Sequence, residues 1–229
     1  MKLVMFDIDG TLTRTFSIDS DCYVQAVEDV AGFESINTDW ASYRCVTDSG
    51  ILEELYRTRL NRSPSRDETA AIQDRFFRLL EEAATTSPGV YAAMPGANAF
   101  LARLREAGFG SALASGGWQR TARLKLDLAQ LDVEGVPAAF ADDAHAREEI
   151  MRITLARAAE TYRVSAFDAL YYFGDGVWDA KATAFLGWRF IGLGTGVGAL
   201  RLREMGASEI FADYLNPALI LECLKADRP

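Results

Sequence analysis

The sequence predicts an α/β protein in which an all-helical block interrupts a parallel sheet directly after its first strand. Three observations predict it. From Pro95 onward, helical runs alternate with short apolar strands, the order of parallel α/β units. Between about residues 15 and 91 the periodicity is helical and no convincing strand stands out. A short apolar strand at residues 2–6 already precedes that block. The expected division is 1–14 and 92–229 for the α/β core and 15–91 for the helical insert. Each junction would be a natural hinge for a lid, and the alternative is that these helices simply flank the sheet.

Within the insert, helices are expected at about 21–30 and 51–60. A third opens with Ser65-Arg66-Asp67-Glu68, a capping box, and carries Ile72, Phe76, Leu79 and Leu80 on one stripe until Ser87-Pro88-Gly89 ends it. In the core, residues 97–107 place Phe100, Leu101 and Leu104 on one side and stop at Gly108. Residues 110–114 read as a strand, followed by Ser115-Gly116-Gly117 and a helix through Leu124 and Leu128. A weaker strand is expected at 138–140, then a long helix at 147–162 with Ile150, Ile153, Leu155 and Ala158 facing inward. Strands follow at 170–173 and 190–193, an edge strand at 210–212, and a closing helix at 217–224. The glycines from Gly192 to Gly198 do not form a G-x-G-x-x-G loop, because Val197 holds the last required place, and a loop is expected there.

The bulk composition, 49% hydrophobic and 25% charged, is that of a soluble globular protein. A formal net charge of −9, from 24 Lys and Arg against 33 Asp and Glu, argues against a nucleic-acid partner. An anionic substrate is still compatible, since a metal and a few cations reverse the field inside a cleft. Cys22, Cys45 and Cys223 have neither metal nor redox spacing, which suggests reduced thiols in a cytoplasmic protein. No secretory leader or membrane-spanning run is expected; residues 187–200 come nearest and are cut by glycines and Arg189.

Phe6-Asp7-Ile8-Asp9-Gly10-Thr11 places two carboxylates two positions apart at the end of a strand, where alternation points both to one side. Close carboxylates repel unless a cation or proton is shared, and Mg²⁺ would satisfy them. A calcium loop is excluded because its position-12 Glu and regular oxygen ligands are missing. Ser115, ending an apolar strand before two glycines, offers a hydroxyl and free backbone N–H groups as an anion seat, or merely a helix cap. Phe173-Gly174-Asp175-Gly176-Val177-Trp178-Asp179 follows another strand and sets Asp175 and Asp179 one helical turn apart.

These segments resemble the D-x-D-G-T, Ser and G-D-x-x-x-D motifs of the haloacid dehalogenase-like hydrolases, in order and each beside an expected strand. The resemblance spans the chain and implies a Rossmann-like, doubly wound parallel core with an inserted helical cap, similar in layout to phosphoglycolate phosphatases. It implies that Asp7 is the nucleophile and Asp9 the acid and base. Mg²⁺ would be held by Asp7, the backbone carbonyl of Asp9, Asp175 and, directly or through water, Asp179. Ser115, Gly116 and Arg147 would hold the phosphoryl oxygens, Arg147 standing where the family commonly has Lys; Lys125 is the alternative cation. Halide removal and phosphonate cleavage do not fit, because Asp9 is present and the insert has no lysine. The expected substrate is a small phosphorylated metabolite, with no nucleic acid and no membrane as partner. Arg44, Arg57, Arg59 and Arg62 are candidate contacts for a second anionic group, and Thr47-Asp48-Ser49-Gly50 for a loop dipping toward the site. His145 is expected to be a surface residue, and Trp178 to pack its helix. Phosphomutase activity and a non-catalytic interaction role are the other functions the fold would allow.

Overall fold

The computed structural model describes residues 1–226, so the last three residues of the expected core range, 227–229, lie outside the described residues. The chain opens with β1 (Leu3–Phe6), every residue of which is buried. It then leaves the sheet for α1 (Phe16–Ala31), α2 (Asp48–Leu60) and α3 (Arg66–Thr86). After its return come α4 (Ala97–Glu106), β2 (Gly110–Ala114), α5 (Gln119–Leu128), β3 (Ala138–Ala139) and α6 (Arg147–Tyr162). The second half adds β4 (Leu170–Gly174), α7 (Val177–Leu186), β5 (Arg189–Leu193), α8 (Gly196–Glu204), β6 (Glu209–Phe211) and α9 (Pro217–Lys225).

All the strand pairs are parallel, in the order β3-β2-β1-β4-β5-β6. The chain therefore builds outward from β1 on one side, then crosses back and builds outward from β4 on the other. Such a reversal opens a crevice at the carboxyl ends of the two central strands, where sheets of this kind bind ligands. Register makes the crevice specific. Phe6 lies opposite both Leu113 and Phe173, so Asp7, Ser115 and Asp175 all emerge at one edge.

Alternation along the strands divides the core. Val4, Phe6, Leu113, Tyr171, Phe173 and Ile191 pack on the face covered by α4 and α9, whereas Leu3, Met5, Ala112, Ala114 and Tyr172 pack against α6. The helical block has its own apolar cluster, including Tyr23, Trp40, Leu52, Tyr56, Ile72, Phe76 and Leu80. Trp118, from the loop after β2, belongs to that same cluster. The block is thus seated over the carboxyl edge of the sheet through shared packing. Its entry and exit strands lie side by side: Arg14 N–H donates to the Ala92 carbonyl (2.8 Å) and Met94 N–H to the Leu12 carbonyl (2.8 Å).

Local signals explain most boundaries. Ser65 Oγ accepts the Glu68 N–H (3.2 Å) and Glu68 accepts the Ser65 N–H (2.8 Å), the reciprocal cap its residues imply for α3. α1 starts five residues earlier than expected, at Phe16, because Thr15 holds the N-cap position without a side-chain cap bond; its hydroxyl is given to Asp9 instead. α8 is a difference of kind. Glycines at 194, 196 and 198 conceal a nine-residue helix, N-capped by Thr195, where a loop was expected. No helix among the described residues is long and apolar enough to cross a membrane.

Candidate active site

At the end of β1, Asp7 N–H donates to the Phe173 carbonyl (3.0 Å), which ties the first acidic residue to β4. The chain then reverses through Gly10, whose φ of +78° suits glycine alone. There is a second reason for glycine: a Cβ here would stand 2.5 Å from Asp175 Cγ. One carboxylate motif is thus built against the other. Gly174 does the same for Asp179, since a Cβ at 174 would lie 2.5 Å from Asp179 Oδ2.

Asp7, Asp175 and Asp179 each present an oxygen within 4.8 Å of the others. Asp179, in the first turn of α7, accepts the Gly176 N–H (3.1 Å) and the Tyr172 hydroxyl (3.3 Å). Arg147 opens α6 and lies 2.9 Å from Asp179 Oδ1 and 3.3 Å from Asp7 Oδ1. One guanidinium cannot balance three carboxyls. Burial, then the charge of Asp179, pushes Asp7 up to about 7 despite Arg147. Burial, then Asp7, holds Asp175 well above the carboxylate range; burial also raises Asp179, with Arg147 opposing. Asp175 Oδ1 is buried with no hydrogen-bond partner. Three converging carboxyls, one with an orphaned oxygen, fit a hard divalent cation that takes oxygen ligands.

Asp9 faces another way. Its carboxylate accepts from the Thr15 hydroxyl (2.5 Å) and pairs with Lys125 Nζ (2.6 Å), so its side chain is engaged away from the Asp7 cluster. Lys125 has no exposed side-chain surface and also pairs with Asp19 of α1. Burial alone would lower its pKa, but Asp19 and Asp9 outweigh that and hold it above its ordinary value. The two candidate cations therefore take different partners: Arg147 reaches the Asp7 side, Lys125 the Asp9 side.

The Ser115 loop lies beneath Arg147. A Cβ at Gly116 would meet the Arg147 Cζ at 3.2 Å and the Val46 carbonyl at 2.9 Å. Ser115 Oγ accepts the Gly117 N–H (3.2 Å), and the Trp118 N–H donates to Asp48 Oδ2 (2.8 Å). Of the amides that follow Ser115, those of Gly117 and Trp118 are hence engaged within the protein. The 47–50 loop does dip toward the site. Asp48 N–H donates to the Gly116 carbonyl (2.7 Å), Thr47 Oγ1 to the His145 carbonyl (2.7 Å), and Arg147 Nη2 to the Val46 carbonyl (3.0 Å).

These groups border a cleft of about 70 Å³ between the helical block and the sheet edge. Asp7, Asp9, Ser115, Gly116 and Arg147 line it, with Asp19 and Asp48 on the opposite wall. Burial pushes Asp19 up to about 7 and Asp48 well above its usual range. Trp178 both stacks on Phe16 (centroids 6.4 Å apart) and lines the cleft, more than a packing residue alone. His145 is exposed, as its loop position implies. The arginines weighed for a second anion are elsewhere: Arg57 pairs with Glu53, Arg59 caps carbonyls of Glu34 and Ser35, and Arg62 pairs with Glu68. Arg44 borders an adjoining cavity with Lys181, which shares Val46, Arg147 and Trp178 with the cleft.

The same fold occurs in known structures. A hydrolase from Pseudomonas syringae superposes with a TM-score of 0.74 at 20% identity, covering 99% of this chain and 100% of its own. A protein assigned as a β-phosphoglucomutase from Bacteroides vulgatus gives 0.71 at 17% identity, over 98% and 88%. A protein assigned as a phosphoglycolate phosphatase from Haemophilus somnus gives 0.62 at 15%, over 98% of each. No curated protein matches the chain. The family model for haloacid dehalogenase-like hydrolase matches residues 1–187, a span that runs from β1 through α7 and holds every carboxylate described above. By that match the chain belongs to the haloacid dehalogenase-like hydrolases.

Proposed function

We propose that this chain is a Mg²⁺-dependent phosphatase that hydrolyses a small phosphate monoester through an aspartyl-phosphate intermediate, with the helical block as its cap. The observation that carries the reading is the convergence of Asp7, Asp175 and Asp179, two of them paired with Arg147, beside a cleft. Asp7, Asp175, Asp179 and the Asp9 carbonyl would hold Mg²⁺, which shields the nucleophile from an anionic substrate and polarises the phosphoryl oxygens.

Asp7 attacks phosphorus, and its carboxylate becomes the mixed anhydride while the P–O bond to the alcohol breaks. Asp9 gives its proton to the departing oxygen, then takes one from the water that attacks the phospho-aspartate. Lys125 holds the Asp9 carboxylate in one orientation through both steps. Arg147 stays protonated, since Asp179, Tyr172 and Asp7 outweigh the effect of its burial, and it faces the transferring group together with Ser115. The shared packing of Trp118 supports closure of the cap over a small substrate.

Asp7→Asn tests the proposal: phosphate release from p-nitrophenyl phosphate with Mg²⁺ should fall by on the order of 10³ or more. Normal turnover by that variant would refute it. A phosphomutase is the second reading, favoured by the fold shared with the Bacteroides protein. Release of inorganic phosphate without a bisphosphate activator separates the two.

A further inference from the structure

We propose that the cleft selects phosphate monoesters whose alcohol half carries an ammonium group, an inference that rests on the phosphatase reading above. The wall facing the phosphoryl end is acidic. It is formed by Asp19 of α1 and Asp48 of α2, and the helical block contributes no basic side chain to the cleft lining. Asp48 is only 8% exposed, and its Oδ1 makes no hydrogen bond among the described residues. The two cations nearby are committed, Arg147 to Asp7 and Asp179, and Lys125 to Asp9 and Asp19.

An independent observation concerns the aromatic rings around those carboxylates. Tyr23, Trp40, Phe16 and Trp178 border the same space. The polar handles of Tyr23 and Trp40 point back into the protein: the Tyr23 hydroxyl donates to the Asp48 carbonyl (2.8 Å) and Trp40 Nε1 to Ser20 Oγ (3.1 Å). Thr47 likewise gives its hydroxyl to the His145 carbonyl. The wall is therefore rich in acceptors and π faces, and the donors of Tyr23, Trp40 and Thr47 are engaged within the protein. A carboxylate or second phosphate there meets like charge. A hydroxyl can donate to Asp48 but brings no charge to offset it. An ammonium gains charge-assisted hydrogen bonds and cation–π attraction together. Burial holds both carboxyls above their ordinary range, and a docked cation favours their ionised form.

Size follows from the geometry. A point one bond out from Gly117 Cα lies 3.7 Å from both Lys125 Nζ and Ser115 Oγ and 3.8 Å from Asp48 Oδ2. The cap carboxylate and the phosphate-side loop are thus neighbours, and a short amino-alcohol chain spans them.

Three esters of nearly equal size test this: phosphoethanolamine, 2-hydroxyethyl phosphate and phosphoglycolate, with p-nitrophenyl phosphate as a general substrate. The kcat/KM for phosphoethanolamine should exceed that of each of the other two small esters by at least about tenfold. In Asp48→Asn the ratio of ammonium to hydroxyl ester should collapse toward one, a ratio that partial misfolding leaves unmoved. Equal or greater turnover of the hydroxyl or glycolate ester, with p-nitrophenyl phosphate hydrolysed, overturns this inference alone. No hydrolysis of any of the four overturns the phosphatase reading and this inference with it.

Discussion

Replacing Gly10 with Ala separates two effects that a glycine at a positive φ usually confounds. Gly10 and Gly32 have similar backbone geometry, with φ of +78° and +67°. Alanine in that region costs roughly 1–2 kcal/mol at either site. For a chain of this size that lowers Tm by about 2–8 °C. The surroundings differ. A Cβ at Gly32 meets nothing within 4 Å, whereas one at Gly10 stands 2.5 Å from Asp175 Cγ, inside the 3.4–4 Å of ordinary contact. Asp175 must therefore shift by on the order of 1 Å, enough to lower catalysis by about 10²-fold. The assay is phosphate release from p-nitrophenyl phosphate at saturating Mg²⁺, beside thermal unfolding of both variants. Gly32→Ala should lose stability and keep activity; Gly10→Ala should lose both, with no rescue by added Mg²⁺. Activity in Gly10→Ala equal to that in Gly32→Ala would refute the claim that this glycine exists to seat Asp175.

Metal removal should expose the strain among the carboxyls. Burial and the charge of Asp179 push Asp7 up to about 7, from about 4 for an ordinary aspartate, so between those values the metal-free folded state binds more protons than the unfolded one. Its stability must then fall as pH rises through that window. Mg²⁺ displaces those protons, so the rise in Tm on adding Mg²⁺ should be larger at pH 8 than at pH 6; an equal rise would contradict the clustering. Lys125→Met leaves Asp9 and Asp19 facing each other without their shared cation, and urea titration should show a loss of about 3–5 kcal/mol. A loss under about 1 kcal/mol would place that pair with weak surface bridges instead. Ser65→Ala removes the cap of α3 and should cost about 1 kcal/mol in the same titration while leaving phosphate release unchanged, because Ser65 is exposed and lies outside the cleft.

How much of this was legible in the residues depended on how each position declares itself. β1, β2, β4 and β5 were readable because each is an uninterrupted run or near-run of small and apolar residues bounded by Asp, Ser or Gly. Asp7, Ser115 and Asp175 were readable for the same reason, since a polar residue directly after a buried strand must surface at the sheet edge. α8 was not, because its glycines carry little helical preference and its position is set by packing of Leu202. The partner of Asp9 was not, because a pairing across 116 positions leaves no local trace.

Yet one trace does exist, and it unites the charged groups of the cleft. Lys125 falls on the buried stripe of α5 with Thr121, Ala122 and Leu126. Asp19 stands at the head of the stripe that continues through Cys22, Tyr23 and Ala26. Asp48 heads Ile51, Leu52 and Leu55 in α2, and Arg147 heads Ile150, Met151 and Thr154 in α6. A charge on an apolar stripe is costly to bury unless paired, so each such residue implies a partner of opposite sign arriving from another element. For Lys125 the partners are Asp9 and Asp19; for Arg147 they are Asp7 and Asp179. Asp48 is the exception, since its carboxylate accepts only a backbone N–H among the described residues. Its one cationic neighbour, Lys125, is already shared by Asp9 and Asp19, which leaves Asp48 the carboxyl that the proposed substrate ammonium would complete.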